Sequence, residues 1–354
     1  MIRTRGLTKD YVVSRTRTVH AVRGIDLDVA PGELVAVLGP NGAGKTTTMR
    51  MLTTLVRPTA GSATVAGVDV LADPAAVRRR IGYVGQGNGA GRSQHVVDEL
   101  VVHGRIHGLD ARTARTRAHD LLEALELGGL ADRKVESLSG GQRRRVDVAL
   151  GLVHGPRLLF LDEPSTGLDP HTRANLWSHV ARLRAEHDMT IVLTTHYLDE
   201  ADTMAERVVV VDHGEIIADD TADALKRDLA GDLVVLTAAP HDAASLAGVT
   251  ARVPGAREVT VDGAQVTARV PDAPAAAAQV VRDAAADGVT VTSVRTERPT
   301  LDDVFLALTG RSLRDAGAGG TDAPDASDAP QPTSTRPQDS PQDQAATTAG
   351  KDAA

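Results

Sequence analysis

One stretch of the chain, residues 39–46, decides its fold; it runs Gly39-Pro40-Asn41-Gly42-Ala43-Gly44-Lys45-Thr46 and fits the pattern G-x-x-x-x-G-K-[ST]. The apolar run before it, residues 34–38, predicts a short strand that is buried on both faces. The run after it, residues 45–55, contains no Pro or Gly and predicts a helix. A strand, a glycine-rich loop and a helix in this order predict a loop that binds the phosphates of a nucleotide.

The chemistry of this loop follows from its residue types. Glycines let the backbone turn tightly, so that several N–H groups point at the phosphates, and the new helix adds its positive end. Lys45 supplies a mobile cation for the β- and γ-phosphates, and the Thr46 hydroxyl is placed to ligate Mg²⁺. We therefore expect the nucleotide to contact residues 39–46 and the adjacent Thr47.

The composition limits the class of protein. The 354 residues are enough for about two domains, and 42% of them are hydrophobic, so a sizeable core can form. The absence of Cys excludes disulfides and thiolate metal sites. The first residues lack the apolar core of a signal peptide, and no apolar run approaches the ~20 residues that span a bilayer. We expect a soluble, cytoplasmic chain that acts at a membrane only through a partner.

The net charge of -8 is unevenly distributed. Residues 315–354 carry seven Asp against Arg336 and Lys351, and they include no Leu, Ile, Val or aromatic residue. Such a segment cannot bury enough apolar surface to offset its chain entropy, so we predict a disordered tail over residues 313–354. The rest of the chain has no broad basic surface in its sequence, and no nucleic acid partner is expected.

The pattern over residues 1–230 predicts an α/β fold, with strands and helices alternating around a mostly parallel sheet. Further strands are expected at residues 158–161, 191–194 and 208–211, and residues 95–127 are expected to be helical throughout, as an insertion in the α/β core.

A second, small α+β domain is predicted over residues 231–312. Its expected elements are a hairpin made by residues 259–261 and 265–267, a helix over 275–286, a strand over 289–294 and a helix over 301–308.

Two carboxylates end the apolar strand Leu158-Leu159-Phe160-Leu161-Asp162-Glu163. Asp162 is expected at the carboxyl end of the sheet, where ligands bind in open α/β folds, and there it can hold Mg²⁺. Glu163 is one residue further and is placed to orient or deprotonate the attacking water.

The stretch Leu138-Ser139-Gly140-Gly141-Gln142 allows two interpretations. Ser139 and Gln142 form a capping box for a helix that runs from Gly140 to about Val153. A cap does not need two glycines, however, and glycines let a phosphate come close to a bare helix start. The next three residues, all Arg, oppose the helix dipole, so helix stability does not explain them. An anion-binding helix start fits better.

These motifs, in this order, resemble those of the ATP-binding cassette ATPases, a class of P-loop NTPase with a mostly parallel sheet and a helical subdomain. Residues 138–142 are similar to the family's signature motif, and the resemblance covers residues 1–230. It implies that Gln86 contacts Mg²⁺ and the water, that His196 contacts the γ-phosphate and that Tyr11 stacks on adenine. It also implies that Asp169 belongs to a loop, residues 165–169, that crosses a dimer interface.

The resemblance further implies a mechanism with two copies of the chain, a homodimer whose cassettes face each other head to tail. ATP and Mg²⁺ would lie between the Lys45 loop of one copy and the helix start of the other, formed by Ser139, Gly140, Gly141 and Gln142. A separate transmembrane permease subunit would place the chain at the cytoplasmic face of the cell membrane.

Residues 298–306, Arg-Pro-Thr-Leu-Asp-Asp-Val-Phe-Leu, resemble the end of the daunorubicin-resistance-type drug exporter ATPases. That implies ATP-driven efflux of an amphiphilic drug. The alternatives are another transporter, an importer or a lipid or polysaccharide exporter, and a non-transport cassette ATPase of DNA repair or translation. The chain lacks the long coiled coil of the repair types and the second cassette of most translation types. It also lacks the guanine-reading motif of a P-loop GTPase.

Overall fold

The computed structural model describes residues 1–87 and 89–310. The predicted disordered tail, residues 313–354, lies outside the described residues. The strands are β1 Ile2–Ser14, β2 Arg17–Val29, β3 Leu34–Leu38, β4 Ala60–Val65, β5 Val68–Asp69, β6 Ile81–Val84, β7 Leu158–Asp162, β8 Thr190–Thr194, β9 Arg207–Asp212, β10 Glu215–Asp220, β11 Asp232–Thr237, β12 Arg257–Asp262, β13 Gln265–Val270 and β14 Ser293–Glu297.

The helices lie between these strands or after them. They are α1 Lys45–Leu52, α2 Pro74–Arg80, α3 Val96–Ile106, α4 Ala111–Ala124, α5 Gly140–Leu152, α6 Pro170–His187, α7 Leu198–Met204, α8 Ala222–Leu225, α9 Ala243–Ala251, α10 Ala273–Ala286 and α11 Leu301–Thr309. Short 3₁₀ turns cover Gly128–Leu130 and Val135–Ser137, and a π-helical turn covers Lys226–Ala230.

A six-stranded sheet forms the centre of the molecule, in the order β10-β9-β3-β8-β7-β6. Five of its strands are parallel, and β10 pairs antiparallel with β9 at one edge. Every residue of β3, β7 and β8 is buried, which is why these strands are continuous apolar runs in the sequence. The predicted α/β fold with a mostly parallel sheet is confirmed.

The N-terminal part differs from the predicted alternation of strands and helices. The long strands β1 and β2 pair antiparallel and form a second sheet, in the order β2-β1-β4-β5. Near its start, β1 buries Ile2 and Thr4 while Arg3 and Arg5 face solvent. This alternation is typical of a sheet with one face on a core, and two strands joined by a two-residue turn need no helix between them.

Three helix and strand bounds were also predicted wrongly. Residues 95–127 are not helical throughout: they form two helices with a break between them, because Gly108 adopts φ +93° and Asp110 caps the second helix through the N–H groups of Arg112 and Thr113. The helix after the phosphate loop ends at Leu52, before Thr54 at φ +64°. The last strand covers Ser293–Glu297 rather than residues 289–294, because the Val289 N–H closes α10 by donating to the Ala284 carbonyl.

The C-terminal elements form a third sheet, in the order β12-β13-β11-β14, covered by α9 and α10. The predicted hairpin is present as β12 and β13. The last helix, α11, leaves this sheet: its buried residues Leu301, Val304 and Phe305 pack into the core that surrounds the central sheet. No helix among residues 1–87 and 89–310 combines the length and apolarity needed to cross a bilayer.

Candidate nucleotide-binding site

The phosphate loop joins β3 to α1 at the carboxyl end of the central sheet, and two of its glycines are required by close backbone contacts. Gly39 has φ +152°, and a Cβ there would lie 2.1 Å from the Val211 carbonyl oxygen. Gly44 has φ +103°, and a Cβ there would lie 2.5 Å from the Ala21 carbonyl oxygen. Any side chain at either position would push the loop away from the strands that hold it.

The start of α1 is open to an anion. Its N-cap, Gly44, supplies no side-chain acceptor, and its first turn contains no acidic residue. The first N–H groups of a helix have no intrahelical partner, and the helix dipole adds positive potential there. This end of α1, with Thr46 and Thr47 in its first turn, is therefore suited to phosphate oxygens.

Lys45 lies folded against the loop. Its side chain is buried, and Nζ donates to the carbonyl oxygens of Gly39 at 2.7 Å and Pro40 at 3.0 Å. Burial lowers the pKa of Lys45, and the carboxylates of Glu163 and Asp162 act in the opposite direction. The ammonium is thus poised beside the loop, where phosphate oxygens can replace the two carbonyl partners.

The three predicted magnesium ligands meet in space. Thr46 Oγ1 donates to Asp162 Oδ1 at 3.2 Å, and Gln86 Nε2 donates to Thr46 Oγ1 at 3.1 Å. Thr194 Oγ1 donates to the same Asp162 oxygen at 2.6 Å. Burial raises the pKa of Asp162, and the bonds from Thr194 and Thr46 oppose that rise. A hydroxyl, a carboxylate and an amide supply the oxygen ligands that Mg²⁺ prefers, so this donor set fits the ion.

Glu163 and His196 also meet, on the other side of the cleft. Glu163 Oε2 lies 3.5 Å from His196 Nδ1 and accepts a bond from Thr166 Oγ1 at 3.3 Å. The Glu163 backbone has φ +49°, and its N–H donates to the carbonyl and the hydroxyl of Thr194, both at 3.1 Å. These bonds fix the turn that aims the carboxylate across the cleft from the phosphate loop.

A cleft of about 860 Å³ opens between the phosphate loop and the Glu163 turn; its walls include Gly39, Pro40, Asn41, Glu163, Thr166 and His196. Lys45, Thr46, Asp162 and Gln86 are not among the residues of its wall. Sequence reasoning missed two parts of the wall. One is the start of α7, with Tyr197, Asp199 and Asp202, and the other is the start of α11, with Thr300, Leu301 and Asp302. No local pattern predicts that either part reaches the cleft, because both do so only through tertiary packing.

The helix start at Ser139 has the capping box and also leaves room for an anion, so the structure is compatible with both interpretations of residues 138–142. Ser139 Oγ accepts from the Gln142 N–H at 3.2 Å, and Gln142 Oε1 accepts from the Ser139 N–H at 2.9 Å, so the capping box is present. A Cβ at Gly140 would meet no atom within 4 Å, whereas one at Gly141 would lie 2.2 Å from Thr172 Cγ2. Gly141 is therefore needed for packing against α6, and Gly140 leaves the helix start accessible. These residues do not line the cleft of their own chain.

The two remaining predicted residues lie apart from the cleft walls. Asp169 caps α6, accepting from the Thr172 N–H at 3.0 Å and from the Thr172 hydroxyl at 2.6 Å, and this hydroxyl is the main reason that its pKa is lowered. Tyr11 lies in β1 opposite Val19, and Lys9 Nζ is 5.0 Å from the centre of its ring. The structure does not bring Tyr11 into the wall of the 860 Å³ cleft.

Comparison with known proteins identifies the family. Residues 22–166 match the ABC transporter family, and residues 221–309 match the C-terminal domain of ATP-binding proteins like DrrA1-3. The chain is 44% identical over 310 residues to the daunorubicin resistance ATP-binding protein DrrA3 of Streptomyces coeruleorubidus, covering 87% of this chain and 97% of that protein. The chain belongs to the daunorubicin-resistance type of ATP-binding cassette ATPases.

Other members of this ATPase family have similar sequences or folds. The doxorubicin resistance ATP-binding protein DrrA of Mycobacterium tuberculosis is 40% identical over 310 residues, covering 86% of this chain and 92% of that protein. The dimeric structure of the ATP-binding cassette MJ0796 in a post-hydrolysis state, bound to ADP and phosphate, is 26% identical with a TM-score of 0.58. It covers 62% of this chain and 98% of that one. The chain is accordingly an ATPase, with the fold of an ATP-binding cassette.

Proposed function

We propose that this chain is the ATP-hydrolysing subunit of an exporter that moves an amphiphilic drug through a separate membrane subunit, at the cytoplasmic face of the membrane. The observation that carries the proposal is the similarity along nearly the whole chain to daunorubicin and doxorubicin resistance proteins, at 40–44% identity. The match of residues 221–309 to a C-terminal domain of the same type of protein separates the chain from cassette ATPases in general.

ATP binds first, in the proposed sequence, to the open start of α1. Lys45 exchanges its bonds with the Gly39 and Pro40 carbonyls for bonds with the β- and γ-phosphates. Asp162, Thr46 and Gln86 would hold Mg²⁺, which when bound would neutralise charge on these phosphates. The adenine is expected against Tyr11, on the sheet that contains β1 and β2.

Glu163 then acts as the general base. It takes a proton from the attacking water, whose oxygen bonds the γ-phosphorus as the bond to the β–γ bridging oxygen breaks, giving ADP and phosphate. His196, 3.5 Å from the Glu163 carboxylate, is placed to donate to the γ-phosphate, and Gln86 orients the water. These roles are supported by the place of His196 in the cleft wall and by the bond from Gln86 Nε2 to Thr46 Oγ1 at 3.1 Å.

A second copy of the chain completes the site, in our proposal. Ser139 and Gly140 lie outside the cleft of their own chain and have an accessible helix start, so another chain's nucleotide can approach them. The loop from Ser165 to Asp169 would cross the interface between the two copies. We also propose that residues 1–230 form the cassette and residues 231–312 a smaller C-terminal domain, with α11 anchored on the cassette.

The export function is tested in bacterial cells that express this chain together with the membrane protein encoded beside it. Doxorubicin is the probe, because its fluorescence reports the amount inside the cell. We expect lower accumulation with the pair than with either protein alone, and no effect when the chain carries Glu163→Gln. Higher accumulation would indicate an importer, and equal accumulation in all strains would contradict drug export of this kind.

A further inference from the structure

Arg144 is a buried arginine of α5 whose guanidinium bonds two loops of the nucleotide cleft. Only 7% of the residue is exposed. Towards the loop that carries Gln86, Nη1 donates to the Gly85 carbonyl at 2.8 Å and to the Gly87 carbonyl at 3.4 Å. Towards the turn that carries Glu163, Nε donates to the Pro164 carbonyl at 2.6 Å.

The same guanidinium makes two further bonds in that turn. Its Nη2 donates to the carbonyls of Glu163 at 3.3 Å and Asp162 at 3.4 Å. A planar guanidinium has five donors in a fixed arrangement, which a lysine ammonium or a glutamine amide cannot reproduce. Arg144 therefore joins the Gln86 loop, the Glu163 turn and α5 through a single side chain.

Asp147 extends this connection one helical turn along α5. It is 4% exposed, and its Oδ1 accepts from the N–H groups of Gly89 at 2.9 Å and Ala90 at 3.3 Å. Its Oδ2 lies 3.7 Å from Arg144 Nη1 and has no hydrogen-bond partner among the described residues. The pair thus bonds the Gln86 loop on both sides of the glutamine: Arg144 holds the carbonyls of Gly85 and Gly87, and Asp147 holds the N–H groups of Gly89 and Ala90.

The neighbouring arginines have different partners. Arg143 donates to the Leu138 carbonyl at 2.8 Å, at the start of its own helix. Arg145 donates to the Leu125 carbonyl at 2.9 Å, at the end of α4. Of the three arginines that oppose the dipole at this helix start, Arg144 is the one bonded to the loops of Gln86 and Glu163.

We propose that Arg144, paired with Asp147, is a positioning residue for ATP hydrolysis, which fixes the Gln86 loop and the Glu163 turn to the helix that begins at Ser139. The inference rests on the proposed roles of Gln86 and Glu163. In the proposed dimer, that helix start contacts the nucleotide held by the partner, while Gln86 and Glu163 act on the nucleotide of their own chain. Arg144 then makes a direct physical link between the two ATP sites.

The test compares Arg144→Gln and Arg144→Lys with the matched control Arg184→Gln in the full-length chain. Arg184 also donates to a backbone carbonyl, that of Gly32, and to the Glu206 carboxylate at 2.7 Å. It bonds none of the groups that we propose to act on the nucleotide. The measurements are kcat and KM for ATP, the Kd of ATP by equilibrium dialysis, and the melting temperature.

Arg144→Gln should lower kcat by about 100-fold, because small displacements of catalytic groups cost about that much. The Kd for ATP should stay within about threefold of the parent, since the Lys45 loop is untouched. Arg144→Lys, which keeps the charge and part of the bonding, should recover a fraction of kcat. Arg144→Gln and Arg184→Gln should each lower the melting temperature, because each loses hydrogen bonds. Arg184→Gln, however, should keep kcat within about twofold of the parent.

Either of two results would overturn the proposal: a parental kcat in Arg144→Gln, or an equal loss of kcat in Arg184→Gln. If Arg144→Gln fails to fold, Arg144→Lys decides, because a parental kcat there would leave Arg144 with a structural role alone. Glu163→Gln separates this inference from the proposed mechanism. Normal hydrolysis by Glu163→Gln would contradict the proposed role of Glu163 as general base. An inactive Glu163→Gln together with a fully active Arg144→Gln would contradict only the positioning role of Arg144.

Discussion

His154, just after α5, is a histidine that the fold keeps neutral. Its Nε2 donates to the Ile81 carbonyl at 2.9 Å, and its ring stacks on that of His107 with the centres 3.9 Å apart. The His107 ring is in turn 5.1 Å from that of His103. Burial lowers the pKa of His154 to about 4, and the other two histidines act in the same direction. A proton on this ring would be held among three imidazoles in a partly buried contact.

This arrangement predicts a loss of stability in acid. Unfolded His154 titrates near 6.5, so between pH 6.5 and about 4 the unfolded chain binds a proton that the folded chain does not. Neutral His154 makes its full contribution to the free energy of unfolding above pH 6.5. That free energy then decreases as the pH drops, by about 2 kcal/mol at pH 5. Urea unfolding at pH 8 and pH 5 measures it. His154→Gln keeps a donor for the Ile81 carbonyl and has no imidazole to protonate. Between pH 8 and pH 5 it should therefore lose about 2 kcal/mol less stability than the parent. Equal losses in the two proteins would refute the assignment.

At the scale of the element, α5 has two separate roles. Its N-terminus is the part that we assign to the partner's nucleotide, and its Arg144 bonds the loops of the chain's own site. Its two leading glycines differ in their surroundings. Gly140 faces open space, and Gly141 faces Thr172 of α6. The first glycine therefore belongs to the proposed interface, and the second belongs to the packing of the chain itself.

Alanine at each glycine separates these roles. Gly140→Ala should keep the melting temperature, or raise stability by up to about 1 kcal/mol because alanine favours the helix, while it slows ATP hydrolysis by crowding the partner's nucleotide. Gly141→Ala should cost about 1–3 kcal/mol, since its Cβ would lie 2.2 Å from Thr172 Cγ2. Thermal unfolding and steady-state ATPase assays on both variants check this. Unchanged hydrolysis in Gly140→Ala would contradict a nucleotide at that helix start.

The elements also show what the sequence can predict. Strands β3, β7 and β8 were predictable because burial on both faces makes each an uninterrupted apolar run. The break between α3 and α4 was not, because apolar residues recur at helical spacing on both sides of Gly108. The proximity of Thr46 to Asp162 followed from motifs at strand ends. The approach of Thr300 and Asp302 to the cleft depends on how α11 packs, which no local pattern encodes.

At the scale of the whole molecule, α11 connects the last residues described to the ATPase core. Leu301, Val304 and Phe305 are each at most 3% exposed and pack in one cluster with Leu225 and Ala230. The same helix begins at the wall of the nucleotide cleft. Residues 298–309 thus stabilise the ATPase part of the chain rather than only the third sheet.

Two truncations test this arrangement. A chain that ends at Arg314 should keep the stability and ATPase activity of the full chain, because the acidic tail has no Leu, Ile, Val or aromatic residue to bury. A chain that ends at Arg298 should be strongly destabilised, and Phe305→Ala should cost about 3–5 kcal/mol. Chemical denaturation and ATP hydrolysis are the measurements. A large loss on removing residues 315–354 would contradict the prediction for the tail, and no loss on removing residues 299–354 would show that α11 is not the anchor.

The whole mechanism depends on ATP held between two copies of the chain, with one molecule at each of the two shared sites. Sedimentation velocity on Glu163→Gln with saturating ATP and Mg²⁺ measures this, because that variant should bind ATP without turning it over. We expect a dimer with ATP, a monomer without nucleotide, and a monomer again when Ser139→Arg is added. A Glu163→Gln chain that binds ATP and still sediments as a monomer would contradict the shared site.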